Sequence, residues 1–230
     1  MQTNPSVLQR NKIYFSGLLL ILLSGTLYLI LNGKAAAFIG LNAYHPFLLN
    51  VFFINYTFMG DGIFALCLIA AVIFYFKRKQ QGLALLYSFL ISGLAVQLIK
   101  NLVDSPRPRL FFEAGQYLHF IDGVSLANNS SFPSGHTATA FAIATVMALM
   151  MKDKSWQLLI LIAAVLVGYS RIYLAQHFLL DVIIGAAIGS TSGILAVYLA
   201  QNIRGIKRSL KKMHRLSPAN AASPSAVQPV

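Results

Sequence analysis

Six stretches of this chain are apolar for long enough, or nearly so, to cross a lipid bilayer, and no other feature restricts its possible folds as much. They cover about residues 14–31, 62–76, 82–99, 137–151, 157–174 and 182–200. A spanning helix needs about 20 mostly apolar residues. Inside hydrocarbon the backbone must also satisfy its own polar groups, which a helix does within one segment. The second and fourth stretches are short as pure apolar runs and are expected to recruit their polar flanks. The composition agrees: 57% of residues are hydrophobic and only 10% charged, where a soluble domain carries about 25% charged. The expected fold is therefore all-α, a polytopic six-transmembrane-helix bundle over residues 1–203. Residues 204–230 read as a basic, then Ala/Ser/Pro-rich tail, expected to be disordered from Ser217 onward.

The basic residues set an orientation. Thirteen Lys and Arg fall at the N-terminus, in alternate loops and in the tail, against five on the other side (Lys34, Lys100, Arg107, Arg109 and Arg171). Both termini are then expected to be cytoplasmic. The net charge of +12 invites a nucleic-acid reading, but these residues are spread over short loops and one tail, so no nucleic-acid partner is expected. Arg10 and Lys12 ahead of the first apolar stretch resemble the start of a signal peptide, with a crude cleavage site at residues 35–37. The stretch is longer than a usual signal core, and an even helix count fits better, so retention is expected. The lone Cys67 lies in an apolar run and offers neither a disulfide nor a thiolate metal cluster. The longest outer loops on this reading are residues 32–61 and 101–136. The second carries Phe111, Phe112, Tyr117 and Phe120, which suit the membrane interface. Gly185, Gly189 and Gly193 recur every four residues, as close helix packing requires.

Polar residues gather on one side of this layout. Lys100 closes the third stretch, His136 opens the fourth, Ser170 and Arg171 lie near the end of the fifth, and His177 and Asp181 open the sixth. Ionisable groups in such places are costly and point to function. Taken singly, each could be snorkelling or capping a helix; that explanation weakens when the whole set meets at one face. Lys100, Arg107 and Arg171 are three cations with few acids beside them, which suits a phosphate dianion. Ser134 and Gly135 begin a helix after Pro133, where free backbone N–H groups form an anion site and glycine lets it approach closely. His177 and Asp181, four apart, share a helix face, so the carboxylate can orient the imidazole. His136 is a second imidazole, able to act as a proton donor. Two histidines beside a phosphate cradle read as phosphoryl transfer through a phosphohistidine. Magnesium would find few ligands among six acids. Zinc at His136, His177 and Asp181 is a conceivable alternative that three nearby cations oppose. No metal or other cofactor is expected.

These residues form recognisable motifs. The chain reads K-N-L-V-D-S-P-R-P from Lys100 to Pro108, P-S-G-H from Pro133 to His136, and S-R-I-Y-L-A-Q-H-F-L-L-D from Ser170 to Asp181. They resemble the three signatures of the type 2 phosphatidic acid phosphatase superfamily, K-x6-R-P, P-S-G-H and S-R-x5-H-x3-D, with every fixed position met. The resemblance covers about residues 61–200, including the helix layout. It implies a membrane enzyme that removes phosphate from a lipid without a metal. His177 would be the nucleophile, Asp181 its orienting partner and His136 the general acid. Lys100, Arg107, Arg171, Ser134 and Gly135 would hold the phosphoryl oxygens, with Pro108, Pro133 and Ser170 shaping the backbone. The substrate would be a lipid phosphate or pyrophosphate such as undecaprenyl pyrophosphate, phosphatidylglycerol phosphate or phosphatidic acid. The implied location is a bacterial inner membrane, with the site facing the periplasm or exterior. Dephosphorylation of lipid A, or phosphotransfer to it, is the alternative within the enzymes. A channel or transporter is disfavoured, because the polar residues sit at one edge and not along the midplane. Asp61, in a Gly-Asp-Gly turn, reads as a helix cap, with contact to a lipid head group as the other possibility. His45 and His119 match no motif and read as interfacial. Tyr173 and Gln176, at variable positions inside the third motif, could approach the substrate but are assigned no role. The oligomeric state is left open.

Overall fold

The computed structural model describes residues 7–112, 120–121, 130–151 and 153–216. In chain order the helices are α1 (Val7–Arg10), α2 (Lys12–Leu41), α3 (Phe47–Tyr56), α4 (Gly62–Ala70), α5 (Lys79–Leu102), α6 (Pro108–Phe111), α7 (Gly135–Met150), α8 (Gln157–Tyr173) and α9 (Leu179–Leu216). A 3₁₀ turn, Thr57–Gly60, joins α3 to α4, and a π-helical turn, Ala71–Tyr75, extends α4. No strand occurs among the described residues. All six apolar stretches lie in helices: α2, α4 with its π turn, α5, α7, α8 and α9.

By length and apolarity α2, α5 and α9 (to Ile203) can each cross a membrane. Phe47–Gly60 and Gly62–Tyr75, bent by 59°, make a fourth span if counted as one. The α7 and α8 helices have 16 and 17 residues, so at about 1.5 Å per residue they fall short of the roughly 30 Å hydrocarbon core.

Two segments differ from the sequence reading. Residues 32–61, read as a loop, are largely helical. Gly33 breaks the helical dihedrals of α2 with φ 74°, but the chain resumes the helix through Leu41, and Ala37 and Phe38 are buried there. The sequence F-L-L-N-V-F-F-I-N-Y then forms α3, which at 10 residues is too short to have registered as a span. Lys34 does not face open solvent: its Nζ lies over the rings of Phe111 (4.7 Å) and Phe178 (4.1 Å). At the other end, α9 runs on through the basic residues to Leu216, so no break in the helix marks the 203/204 boundary. Residues 217–230 lie outside the described residues, as do Tyr117 and His119.

The α7 helix lies at the centre, packed against α9, α5 and α8. The glycine stripe explains how closely α9 approaches it. A Cβ on Gly185 would come within 2.6 Å of the Ser134 carbonyl oxygen, and one on Gly193 within 2.7 Å of Thr145 Cβ, while Gly189 faces the backbone of Ala138 and Ala142. The contacts advance in step along both helices, so α7 and α9 run parallel and both begin at the same end. The α2 helix runs alongside α8. Tyr14 N–H donates to Gln157 Oε1 at their starts, and Asn42 Nδ2 donates to the Ile172 and Tyr173 carbonyls at their ends. The starts of α7 and α9 and the ends of α2, α5 and α8 thus share one end of the bundle.

Candidate active site

At that end the sequence-predicted residues come together. The turn after α8 is tight: Ala175 takes a left-handed φ of 51°, and the Arg171 carbonyl accepts from the backbone N–H of Gln176 (2.9 Å) and His177 (3.1 Å). That turn drives His177 inward, where its side chain is only 3% exposed. Phe178, beside it, packs against Phe38, Phe111 and Phe112. Phe111 and Phe112 therefore wall the histidine turn, where the sequence suggested only an interfacial position.

His177 Nδ1 stands 3.5 Å from Asp181 Oδ2. Between them is a residue the sequence reading missed. The buried Ser131 hydroxyl lies 3.3 Å from His177 Nδ1 and donates a short hydrogen bond to Asp181 Oδ2. The same carboxylate oxygen accepts from Phe178 N–H at 2.9 Å. With its proton on Nδ1, the ring is held by Ser131 and Asp181 together, and Nε2 keeps a lone pair. Burial pushes the His177 imidazole below its usual range; the Asp181 hydrogen bond acts the other way, and the Arg171 and Arg107 charges reinforce the burial. The ring is therefore neutral near pH 7.

Ser134 caps α7, its Oγ accepting from Thr137 N–H (3.4 Å) and Thr137 Oγ1 (2.8 Å). Its own backbone N–H, expected to be free for an anion, instead donates to the Asp181 carbonyl at 3.0 Å. That bond ties the start of α7 to α9. Gly135 is not required by packing, since a Cβ there would meet only Val96 at an ordinary 3.7 Å. His136 follows, partly exposed, with Nε2 3.8 Å from Asp61 Oδ2. Asp61 does cap α4, accepting from Ile63 N–H at 2.7 Å.

The cations converge here too. Lys100 Nζ donates to the Ser130 carbonyl at 2.6 Å. Arg107 donates to the Gln176 carbonyl (2.9 Å) and to Gln176 Oε1 (3.2 Å). Arg171 donates to Thr57 Oγ1 at 2.6 Å, while its buried Nε has no partner among the described residues. The Arg171 and Arg107 guanidiniums feel each other's charge, and both, with Lys100, act on His136. Among the described residues three cations meet two carboxylates, Asp61 and Asp181, so positive charge is in excess there and one buried donor is orphaned. Among the described residues no group of three or more His, Cys, Asp or Glu is arranged to hold a metal ion. His45 is not part of the site: it bonds the Asn42 carbonyl and packs, tilted by 50°, against the Tyr173 ring. An apolar crevice of about 200 Å³ begins at Ala140, one turn along α7 from His136, and runs between α4, α7 and α8.

Residues 81–204 match the model of the PAP2 superfamily. The chain belongs to that superfamily. Relatives extend the likeness. The chain is 32% identical over 146 residues to an undecaprenyl-diphosphatase of Sulfolobus acidocaldarius, covering 62% of this chain and 68% of the relative. It is similar to the crystal structure of Aquifex aeolicus LpxE, with TM-score 0.63 and 30% identity over 72% of this chain and 94% of the other. The fold is also that of a transmembrane PAP2-type phosphatidylglycerolphosphate phosphatase of Bacillus subtilis, with TM-score 0.61 and 24% identity over 82% and 96% of the two chains. As a superfamily member with apolar helices of spanning length, the chain is an integral membrane protein.

Proposed function

We propose that this protein is a membrane lipid phosphatase that works through a phosphohistidine at His177. The observation that carries the reading is a buried histidine, neutral and oriented by Ser131 and Asp181, beside three cations that outnumber the two carboxylates near them among the described residues. His177 Nε2 attacks phosphorus, the bond from phosphorus to the lipid oxygen breaks, and His136 gives that oxygen a proton. Water then attacks the phosphohistidine, His136 takes a proton from it, and phosphate leaves with His177 restored. Lys100, Arg107, Arg171, the Ser134 hydroxyl and the Gly135 backbone hold the phosphoryl oxygens. The orphaned Arg171 Nε and the space left by a Gly135 without steric need both favour this assignment. Because cations meet the phosphate charge, the reaction needs no metal.

The apolar crevice that starts one turn along α7 from His136 suits a lipid tail and favours a lipid over a soluble phosphate. The substrate is a lipid phosphate or pyrophosphate of the kinds named above. In the membrane we assign six spans, with the short α7 and α8 as crossing helices, both termini cytoplasmic and the site on the outer side of a bacterial inner membrane. The deciding experiment is phosphate release from a panel of lipid mono- and diphosphates by purified protein in EDTA. Turnover of at least one lipid at the rate seen without chelator is expected. No release from any, or a rate restored only by added magnesium or zinc, would overturn the reading. Labelling of a Ser209→Cys variant from outside intact cells would overturn the orientation.

A further inference from the structure

The turn between α3 and α4 lies outside the three motifs, yet it touches two motif residues at once. Thr57 accepts the Arg171 guanidinium at 2.6 Å, and Asp61 faces His136 at 3.8 Å. Capping fixes the Asp61 carboxylate: one oxygen is held by Ile63 N–H at 2.7 Å, which aims the other at the His136 ring. Nor can the turn drift away. A Cβ on Gly60 would come within 2.8 Å of the His136 carbonyl oxygen, 2.9 Å of His136 Cβ and 2.7 Å of Val167 Cγ1. Only glycine lets this backbone lie so close to the first turn of α7.

We infer that Asp61 is a positioning residue for His136, doing for the proton donor what Asp181 does for His177. A histidine that gives and then recovers a proton carries positive charge during the cycle, here among Lys100, Arg107 and Arg171. The Asp61 carboxylate offsets those cations and steadies the ring from its Nε2 edge. This inference rests on the proposed role of His136 as the acid.

Asparagine and serine cap helices about as well as aspartate, so Asp61→Asn and Asp61→Ser keep the cap and remove the charge. The assay uses one lipid tail bearing one or two phosphates. The monophosphate leaves as a strongly basic alkoxide that needs a proton; the diphosphate leaves as a phosphate monoester that needs it far less. For both variants kcat on the monophosphate should fall about tenfold, a part of the 10²–10⁴-fold that general acid catalysis typically supplies. KM should hold within about twofold and the diphosphate rate should fall less. Equal losses on the two substrates, unchanged rates, or a change confined to KM in either variant would overturn the inference. His136→Ala is measured alongside. If it discriminates between the substrates and the Asp61 variants do not, only the role of Asp61 fails. If it does not discriminate, the acid assignment fails and takes this inference with it.

Discussion

The two ends of the α2–α7–α8 core both bury polar side chains, but they satisfy them differently. At the far end the groups are neutral: Tyr14, Thr145 and Gln157 find partners within the chain, and the buried Ser190 hydroxyl, though without one among the described residues, carries no charge. Tyr14 OH bonds Thr145 Oγ1 at 2.8 Å, and Thr145 also donates to the Phe141 carbonyl. The Gln157 amide takes Tyr14 N–H on its oxygen and gives its N–H groups to the Arg10 carbonyl and Asn11 Oδ1. At the site end the groups are charged, and among the described residues the cations outnumber the carboxylates and a buried guanidinium nitrogen has no partner. A buried network that closes on itself fixes how helices meet. One that leaves charge over marks a candidate site for a ligand. Substitutions at the far end should therefore change stability and leave kinetics alone, and those at the site end should do the reverse.

The largest effect is expected at His177. His177→Ala should lose turnover by about 10⁴-fold or more while melting in detergent near the wild-type temperature. Loss of folding in step with activity would remove the contrast between the ends. Next comes Asp181→Asn, which keeps the shape but no longer favours the Nδ1–H tautomer; about a 10³-fold fall in kcat is expected, with the variant still folded. Ser131→Ala is the sharper probe, because it tests a residue outside the motifs. A hydrogen bond to a charged group is worth about 1.5–3 kcal/mol, so kcat should fall about 10- to 100-fold. Wild-type kcat in that variant would mean that Asp181 orients His177 alone. The smallest effect belongs to the far end. Tyr14→Phe removes one neutral hydrogen bond and should cost about 1 kcal/mol of stability, with kcat and KM within about twofold of wild type. A tenfold kinetic loss there would show that the two ends are coupled.

Much of this contrast was legible in the sequence. The six apolar stretches marked six helices, because hydrocarbon burial writes itself into composition residue by residue. The motif residues marked the site, because a charge at a helix end stands out against an apolar background. What stayed hidden depends on contacts between distant positions. Ser131 precedes the P-S-G-H motif by only two residues, yet nothing in its neighbours says that its hydroxyl meets His177 and Asp181 some fifty positions on. Thr57 sits in a short 3₁₀ turn with no periodic pattern, and its tie to Arg171 bridges 114 positions. Asp61 was legible as a cap because capping is local; its second oxygen reaches another helix, and that was not. The helix α3 was lost because ten residues broken by Asn50 and Asn55 look like a loop when the ruler is a membrane span.

The central claim is that phosphate passes through His177. It is tested most directly by mixing purified protein with radiolabelled lipid phosphate for less than one turnover, quenching in alkali and locating the label by peptide mass spectrometry. The account predicts label on His177, absent from His177→Ala and accumulating when His136 is replaced by alanine and a diphosphate lipid is supplied. Label on another residue, or full turnover with none trapped on the protein at any time, would contradict it.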